Sequence, residues 1–242
     1  MEIKIFLDFI IKNRIYHSPK SLIWYYKNQL FKDINFKDKK VLDIGGGAGL
    51  TSFYAAAAGS NKVDLIEPYG DGSDSLSIKK FNIIKNNLKS ISNKVYIFNQ
   101  TFQTYSTIEK YDVIILHNSI NHLNENACIN LLIDKNSYEI YKNLFFSIYN
   151  LLNENGIIII ADCSNKNFFN SLGIKSPLAW SIEWQKHHSP EVWIELLEKV
   201  GFRFTSLVWT SPKQLRKLGQ VLFSNQIAAY FLLSHFIIHL KK

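Results

Sequence analysis

The chain has 242 residues, of which 47% are hydrophobic, and it carries a formal net charge of +8. This length and apolar content fit one globular domain with a sizeable core and exclude a disordered or low-complexity chain. The two cysteines, Cys128 and Cys163, lack metal-ligand spacing, which excludes a disulfide framework and a cysteine-based zinc site. We therefore predict no metal site, reduced thiols and a cytoplasmic location.

The first 37 residues are rich in aromatic and aliphatic side chains although they precede the first predicted strand. Charged residues such as Glu2, Lys4 and Asp8 interrupt the apolar ones, which argues against a secretory signal peptide. We predict one or two amphipathic helices, which form an N-terminal helical extension over residues 1–37.

A glycine-rich stretch at residues 41–49 reads Val-Leu-Asp-Ile-Gly-Gly-Gly-Ala-Gly. It predicts an apolar strand that runs, through an acid, into a loop with almost no side chains. Glycine permits positive φ and lets a ligand approach the main chain closely. Residues 50–58 predict a helix whose N-terminal N–H groups point into the same space. The stretch therefore indicates a nucleotide-type site, and dinucleotide sites use a similar loop.

The second predicted strand, at residues 62–68, carries Glu67 near its end, 24 residues after Asp43. A carboxylate in this place can accept hydrogen bonds from both hydroxyls of a ribose. Asp43 stands directly before the glycines, where its charge would repel a pyrophosphate and attract an ammonium or a sulfonium. The two acids favour a cationic ligand that contains ribose over a dinucleotide.

These two motifs resemble those of the class I S-adenosylmethionine-dependent methyltransferases. The resemblance implies S-adenosyl-L-methionine as the methyl donor and S-adenosyl-L-homocysteine as the product. The third and fourth predicted strands, at residues 94–99 and 111–116, lead into two segments that the family sets against the cofactor. The cofactor-binding residues implied by the resemblance are Asp43, Gly45, Gly46, Gly47, Gly49, Glu67, Pro68, Thr101, Phe102, His117 and Asn118.

Helices and strands alternate through the next part of the chain. A helix predicted at residues 137–153 precedes a fifth strand at 156–162, whose continuous apolar run indicates burial on both faces. A helix at 190–200 ends at Gly201, and a half-buried strand follows at 202–209. This alternation predicts a parallel sheet with right-handed crossovers.

Residues 218–240 contain no Lys, Arg, Asp or Glu, but polar residues are spread through them, so we predict no transmembrane segment. We predict instead a helix over residues 212–226 and an extended segment over 228–240. The family resemblance implies that residues 234–240 form a reversed final strand, which pairs with the strand at 202–209.

The predicted fold is a Rossmann-like three-layer α/β sandwich. Its sheet has seven strands, mostly parallel, with a reversed C-terminal strand and the N-terminal helical extension. We predict two regions, the extension or lid at residues 1–37 and an S-adenosylmethionine-binding methyltransferase domain at 38–242. In many members of the family such an extension roofs the cofactor and helps to select the acceptor.

Methyl transfer is an in-line displacement, so the protein mainly aligns the reactants and excludes water. A hydroxyl acceptor also needs a base, and histidine is suited to that role at neutral pH. The candidates follow the fourth and fifth predicted strands, and they are His122, His187 and His188.

The acceptor class is open to several hypotheses. No Asn/Asp-Pro-Pro-Tyr/Phe motif, which amino-methylating nucleic-acid enzymes of this superfamily carry, follows the fourth strand. We therefore favour a small-molecule acceptor, with oxygen preferred to nitrogen. The positive charge lies at the ends, since residues 201–242 hold six Lys/Arg and no acid, which leaves an RNA- or protein-modifying enzyme as an alternative. A non-catalytic S-adenosylmethionine-binding module and an NAD-dependent enzyme are the others.

Overall fold

A seven-stranded sheet forms the middle layer of the protein. The computed structural model describes residues 2–69 and 75–242. The strands are β1 (Lys40–Ile44), β2 (Lys62–Ile66), β3 (Val95–Phe98), β4 (Tyr111–His117), β5 (Leu152–Cys163), β6 (Arg203–Trp209) and β7 (His235–Lys241). Within the described residues their order is β3-β2-β1-β4-β5-β7-β6.

The strand pairing has one reversal. Strands β1 to β5 pair with one another in parallel, and β7 lies antiparallel between β5 and β6. This confirms the predicted sheet, its reversed final strand and the pairing of that strand with β6. The first strand, β1, lies inside the sheet and not at its edge. The chain then adds β2 and β3 on one side of β1, and β4 and the later strands on the other side. Ligands of such sheets bind beyond the carboxyl ends of the strands at this switch point.

Helices cover both faces of the sheet and complete the three predicted layers. One face packs against α1 to α5, and the other packs against α6, α7 and α9. The helices are α1 (Glu2–Lys12), α2 (Pro19–Tyr25), α3 (Leu50–Ala57), α4 (Ser75–Asn87), α5 (Lys89–Ser92), α6 (Glu125–Ile129), α7 (Lys135–Leu151), α8 (Phe168–Ser171), α9 (Pro190–Val200), α10 (Arg216–Phe223) and α11 (Gln226–Phe231).

The isoleucine run of β5 shows why both faces are covered. Ile158 and Ile160 are buried in the core with α7 and α9, whereas Ile159 is buried in the core with α1 to α5. Side chains alternate between the two faces of a strand, so a continuous apolar run needs a layer on each side. The prediction of burial on both faces is confirmed.

The segment before β7 differs from the prediction. Residues 228–234 were expected to be extended, but residues Gln226–Phe231 form α11. The side chain of Asn225 accepts a hydrogen bond from the N–H of Ala228, and this N-cap begins the helix. Strand β7 starts after Ser234, which has a φ of 52°. The predicted helix over residues 212–226 is a 3₁₀ turn followed by α10.

The N-terminal extension is helical, as predicted. It consists of α1, α2 and a π-helical turn over Tyr26–Leu30, and it packs on α3. The ring of Tyr54 in α3 packs against the ring of Phe31, with 5.2 Å between centroids, and against the ring of Tyr26, with 5.3 Å between centroids. The boundary between residues 37 and 38 stays a prediction. Among the helices that the structure describes, none is long and apolar enough to cross a membrane.

Candidate active site

The glycines after β1 have different roles. Gly46 lies where a Cβ would be 2.5 Å from Leu65 Cδ1 and 2.6 Å from Asp43 Oδ2, so it allows close packing of β1, β2 and the loop. Gly45, Gly47 and Gly49 have φ of 71°, 55° and 71°, which favours glycine. A Cβ on Gly47 would lie 4.0 Å from Ser77 Oγ and no closer to any other described atom, so the described residues leave that side of the loop open.

Asp43 is fully buried at the end of β1. Its Oδ2 accepts hydrogen bonds from the hydroxyls of Thr51, at 2.5 Å, and Ser52, at 2.6 Å, both on α3. Its Oδ1 has no hydrogen-bond partner among the residues that the structure describes. Burial raises the pKa of Asp43 to about 6, although the two hydroxyls oppose the shift. At neutral pH the group is a buried carboxylate with unused acceptor capacity.

Glu67 connects the end of β2 to the glycine loop. Its Oε2 accepts a hydrogen bond from the N–H of Gly47 at 2.8 Å. The hydroxyl of Tyr69 donates to the carbonyl of Gly47 at 3.0 Å. Burial raises the pKa of Tyr69, so this hydroxyl stays protonated and able to donate. These contacts hold the glycine loop after β1 against the segment that follows β2.

A cavity of about 470 Å³ opens beside these groups, at the carboxyl ends of β1, β2 and β4. Of the predicted cofactor residues, seven line it: Gly45, Gly47, Glu67, Pro68, Thr101, Phe102 and Asn118. Asp43, Gly46 and Gly49 lie behind the lining as supports. A volume of this size is typical of small-molecule and cofactor sites.

His117 lies outside the cavity lining. It stands beneath the N-terminal extension, where its Nε2 is 3.4 Å from the Tyr25 hydroxyl and its ring packs at 6.3 Å from Tyr26. Burial, with the charges of Lys213 and His235, lowers the pKa of His117 to about 3. The imidazole is therefore neutral at physiological pH.

The lining residues that were not anticipated from the sequence include Gln103, Ser119 and Glu125. The hydroxyl of Ser119 donates to the carbonyl of Ile44 at 2.6 Å, which fixes the segment after β4 against the end of β1. The amide of Gln103 donates to the carbonyl of Leu123 and closes the far wall. The only available signal was their position just after strands β3 and β4.

His122 lines the same cavity. Its Nδ1 lies 2.6 Å from Oε1 of Glu125, and more than half of its side chain is exposed. Hydrogen bonds from Lys186 and then from His122 lower the pKa of Glu125. The Lys186 ammonium lies 2.8 Å from Glu125 and so joins the loop before α9 to α6 at the cavity rim.

His187, in the loop before α9, lies against the buried carboxylate of Asp162 near the end of β5. Its Nδ1 is 3.2 Å from Oδ1 of Asp162, whose side chain is 1% exposed, while that of His187 is 13% exposed. A carboxylate on Nδ1 fixes the ring and its tautomer and leaves Nε2 as the nitrogen that can take a proton. The structure therefore forms an imidazole–carboxylate pair from β5 and the loop before α9.

His188 faces the core instead. Its Nε2 lies 2.6 Å from the carbonyl of Cys128, and its ring packs edge-on against Trp193 at 5.4 Å. Burial lowers the pKa of His188. Adjacent residues in extended backbone point to opposite sides, so His187 and His188 have different surroundings. Within residues 2–69 and 75–242, no cluster of His, Cys, Asp or Glu is arranged to hold a metal ion.

Comparison with known families gives a match over most of this site. Residues 35–201 match the family model of the methyltransferase domain, which is more than half of the chain. The chain belongs to this methyltransferase family. The protein arginine N-methyltransferase 6 of Danio rerio is 30% identical over 91 residues, which cover 37% of this chain and 24% of that protein. The matched region spans less than a quarter of such curated relatives.

Two solved structures share the fold of the methyltransferase. A protein from Listeria monocytogenes, described as an S-adenosylmethionine dependent methyltransferase, is 16% identical, with a TM-score of 0.59 over 90% of this chain and 97% of that chain. An O-methyltransferase family 2 protein from Planctomyces limnophilus, in complex with apigenin, is 12% identical. Its TM-score is 0.53 over 87% of this chain and 52% of that chain.

The methyltransferase uses S-adenosylmethionine as its methyl donor. The cavity fits this molecule on two independent observations. The buried Oδ1 of Asp43 lacks a partner among the described residues, and a donor with an ammonium and a sulfonium can supply positive charge to that carboxylate. The open side of Gly47 leaves room for a ligand against the main chain, beside the carboxylate of Glu67.

Proposed function

We propose that the methyltransferase transfers its methyl group to an oxygen atom of a small-molecule acceptor. The observation that carries this proposal is the His187–Asp162 pair at the carboxyl end of β5. A hydroxyl oxygen becomes a strong nucleophile when its proton is removed, whereas a neutral amine already has a free electron pair. A positioned imidazole–carboxylate pair therefore favours an oxygen acceptor.

We assign the cofactor contacts to the lining residues and their supports. Glu67 accepts hydrogen bonds from the ribose hydroxyls, and Asp43 supplies negative charge near the methionyl end. Thr101 and Phe102 lie beside the adenine. Gly45, Gly47, Pro68 and Asn118 shape the wall, while Gly46 and Gly49 allow the loop to pack. His117 does not line the cavity and supports its wall from behind.

The bound donor supplies a sulfonium methyl group for in-line displacement. Nε2 of His187 takes the proton from the acceptor hydroxyl as the oxygen forms its bond to the methyl carbon. Asp162 stabilises the resulting imidazolium through Nδ1. The protein contributes alignment of the acceptor and exclusion of water. His122 is the second candidate base because it lines the cavity and pairs with Glu125.

The proposal is tested by transfer of labelled methyl from S-adenosylmethionine to a panel of small phenols that includes apigenin, with products identified by mass. We expect a methyl ether product. Substituting His187→Gln should lower kcat by about 10²- to 10⁴-fold, the usual contribution of a general base, and leave the affinity for S-adenosylhomocysteine unchanged.

His188→Gln is the matched control. It should lower the melting temperature, because the imidazole is packed in the core, and retain kcat per folded molecule. Label that enters RNA or protein of a cell extract, with no small-molecule product, would contradict the proposal and favour the macromolecular alternative. Full activity of His187→Gln would transfer the base role to His122.

A cytoplasmic location stays a prediction.

A further inference from the structure

Lys213 lies in a setting that the methyl transfer described above does not explain. It begins the 3₁₀ turn Lys213–Leu215, which packs against α2. Its ammonium lies over the ring of Tyr25, 4.2 Å from the centroid. Lys213 makes no salt bridge in the part of the chain that the structure describes, and the cause that shifts its pKa is burial, which lowers it to about 8. The side chain is therefore still charged at neutral pH.

The neighbours of Lys213 are two imidazoles, those of His117 and His235, whose pKa values its charge helps to lower. Burial is the largest cause that lowers the pKa of His117 and of His235, and the charge of Lys213 is the second cause for both. The three groups are therefore within electrostatic reach of one another. The acid that also acts on His235 is Asp162, and its carboxylate is engaged by His187. Among the described residues, this cluster of Lys213, His117 and His235 has no carboxylate of its own.

An unpaired ammonium in such a place is costly. A charge that loses part of its hydration is destabilised unless a counter-charge or hydrogen bonds replace the water, and a ring contact compensates only in part. A positive group that lacks a protein counter-charge is suited to receive an anionic ligand, since the ligand then supplies the missing charge.

The cluster shares an edge of the sheet with the reaction site. His117 ends β4 and directly precedes Asn118, which lines the cofactor cavity. His235 begins β7 and pairs in register with Cys163, the residue after Asp162. An anion beside Lys213 would therefore lie near both the cofactor and the His187–Asp162 pair.

We propose that Lys213, with His117 and His235 beside it, forms a subsite for a carboxylate of the small-molecule acceptor. The inference rests on the proposed function for the acceptor, and it identifies the acceptor class as a hydroxylated organic acid. The same carboxylate chemistry is present in the methionyl part of the donor, which is the second possible source of the anion.

Binding measurements separate the two sources without turnover. One set of calorimetric titrations compares S-adenosylhomocysteine with 5′-methylthioadenosine, which lacks the amino-acid group. A second set adds benzoate or benzamide to protein that is saturated with S-adenosylhomocysteine. If the acceptor supplies the carboxylate, benzoate binds at least tenfold more tightly than benzamide. Lys213→Met then abolishes that preference, Lys213→Arg keeps it, and the affinity for both nucleosides is unchanged.

If the donor supplies the carboxylate, Lys213→Met weakens S-adenosylhomocysteine at least tenfold and leaves 5′-methylthioadenosine unchanged. Lys217→Met, at an exposed position on α10, is the matched control and should change neither result. We also expect Lys213→Met to melt at the same or a higher temperature, because it removes an unpaired charge.

Three results would overturn the subsite. The first is that benzoate and benzamide bind equally well and Lys213→Met keeps its affinity for S-adenosylhomocysteine. The second is that Lys217→Met has the same effect as Lys213→Met. The third is that Lys213→Met melts at a lower temperature. Failure of the proposed function would instead appear as the absence of a small-molecule product, which does not depend on these binding data.

Discussion

At the scale of single residues, Asp43 has a structural and an electrostatic role. One carboxylate oxygen holds α3 through Thr51 and Ser52, and the other is buried without a hydrogen-bond partner among the described residues. Buried carboxylates are costly unless they are hydrogen-bonded, and the raised pKa of Asp43 reflects that cost. The affinity for a cationic ligand should therefore depend on the protonation of this group.

We expect the affinity for S-adenosylhomocysteine, which carries an ammonium, to fall at low pH. With a pKa of about 6 in the free protein, Asp43 is ionised at neutral pH and becomes protonated below pH 6. Its negative charge is then lost, and the dissociation constant should rise about tenfold between pH 7 and pH 5. Calorimetry across this range measures the effect. Asp43→Asn should bind weakly with no such slope, and an equal slope in this variant would contradict the assignment.

Gly47 gives a second prediction at this scale. Gly47→Ala places a methyl group on the open side of the loop and forces a positive φ on alanine, at a cost of about 1 kcal/mol or more. We expect a small loss of stability and at least a tenfold loss of affinity for S-adenosylhomocysteine, measured by thermal melting and calorimetry.

Gly173→Ala is the control for that substitution. Gly173 has a φ of 68° with no described heavy atom within 4 Å of its virtual Cβ, and it lies outside the cavity lining. It should show the same strain with unchanged affinity. Gly46→Ala should instead be strongly destabilising because its Cβ would meet Leu65 and Asp43. Equal affinity losses at residues 47 and 173 would mean that strain, and not the cavity, is responsible.

The sequence indicated part of the site at the residue scale. Asp43, Glu67 and the glycines could be found because their roles depend on local order along the chain, a strand followed by a loop. His187 and His188 could not be separated, since the pairing of one with Asp162 and the packing of the other on Trp193 depend on tertiary contacts. Lys213 gave no signal, because its unpaired state depends on distant elements.

At the scale of elements, the N-terminal extension is part of the core. Phe31 follows the π-helical turn and is 5% exposed, and its ring contacts those of Tyr26, Phe36 and Tyr54. Tyr25 of α2 also contacts His117 and Lys213. The packing that stabilises the fold therefore also places the extension against His117 and Lys213.

Phe31→Ala should destabilise the whole protein. Removing a buried aromatic ring costs about 3–5 kcal/mol in transfer and cavity terms. Chemical denaturation should show a single transition with a lower midpoint. Phe146→Ala, on the exposed side of α7, is the control and should change the free energy of unfolding by about 0.5 kcal/mol or less. Separate unfolding of the extension, with the rest unchanged, would contradict this.

Element boundaries were predictable where local signals agree. Ser189-Pro190 and Gly201 mark both ends of α9, and the prediction of this helix over residues 190–200 is confirmed. Helix α11 was missed because its residues combine helix formers with aromatic and β-branched side chains, and the Asn225 cap decided between helix and strand.

At the scale of the molecule, the topology explains how distant residues form one site. The strand order places the ends of β1, β2, β4 and β5 along one edge, so the acids of the first half and the histidines of the second half lie on the same side. The alternation of strands and helices predicted this sheet from the sequence. The net charge of +8 was less informative, since several lysines are used in ion pairs such as Lys94–Glu2 and Lys242–Glu154.

The central claim is that Asp43 and Glu67 hold S-adenosylmethionine in this cavity. Calorimetry of the purified protein with S-adenosylhomocysteine and with NAD tests it most directly. We expect one S-adenosylhomocysteine to bind per chain, no binding of NAD, and at least a tenfold loss of affinity in Asp43→Ala and in Glu67→Ala. Binding of NAD instead, or unchanged affinity for S-adenosylhomocysteine in both variants, would contradict the claim.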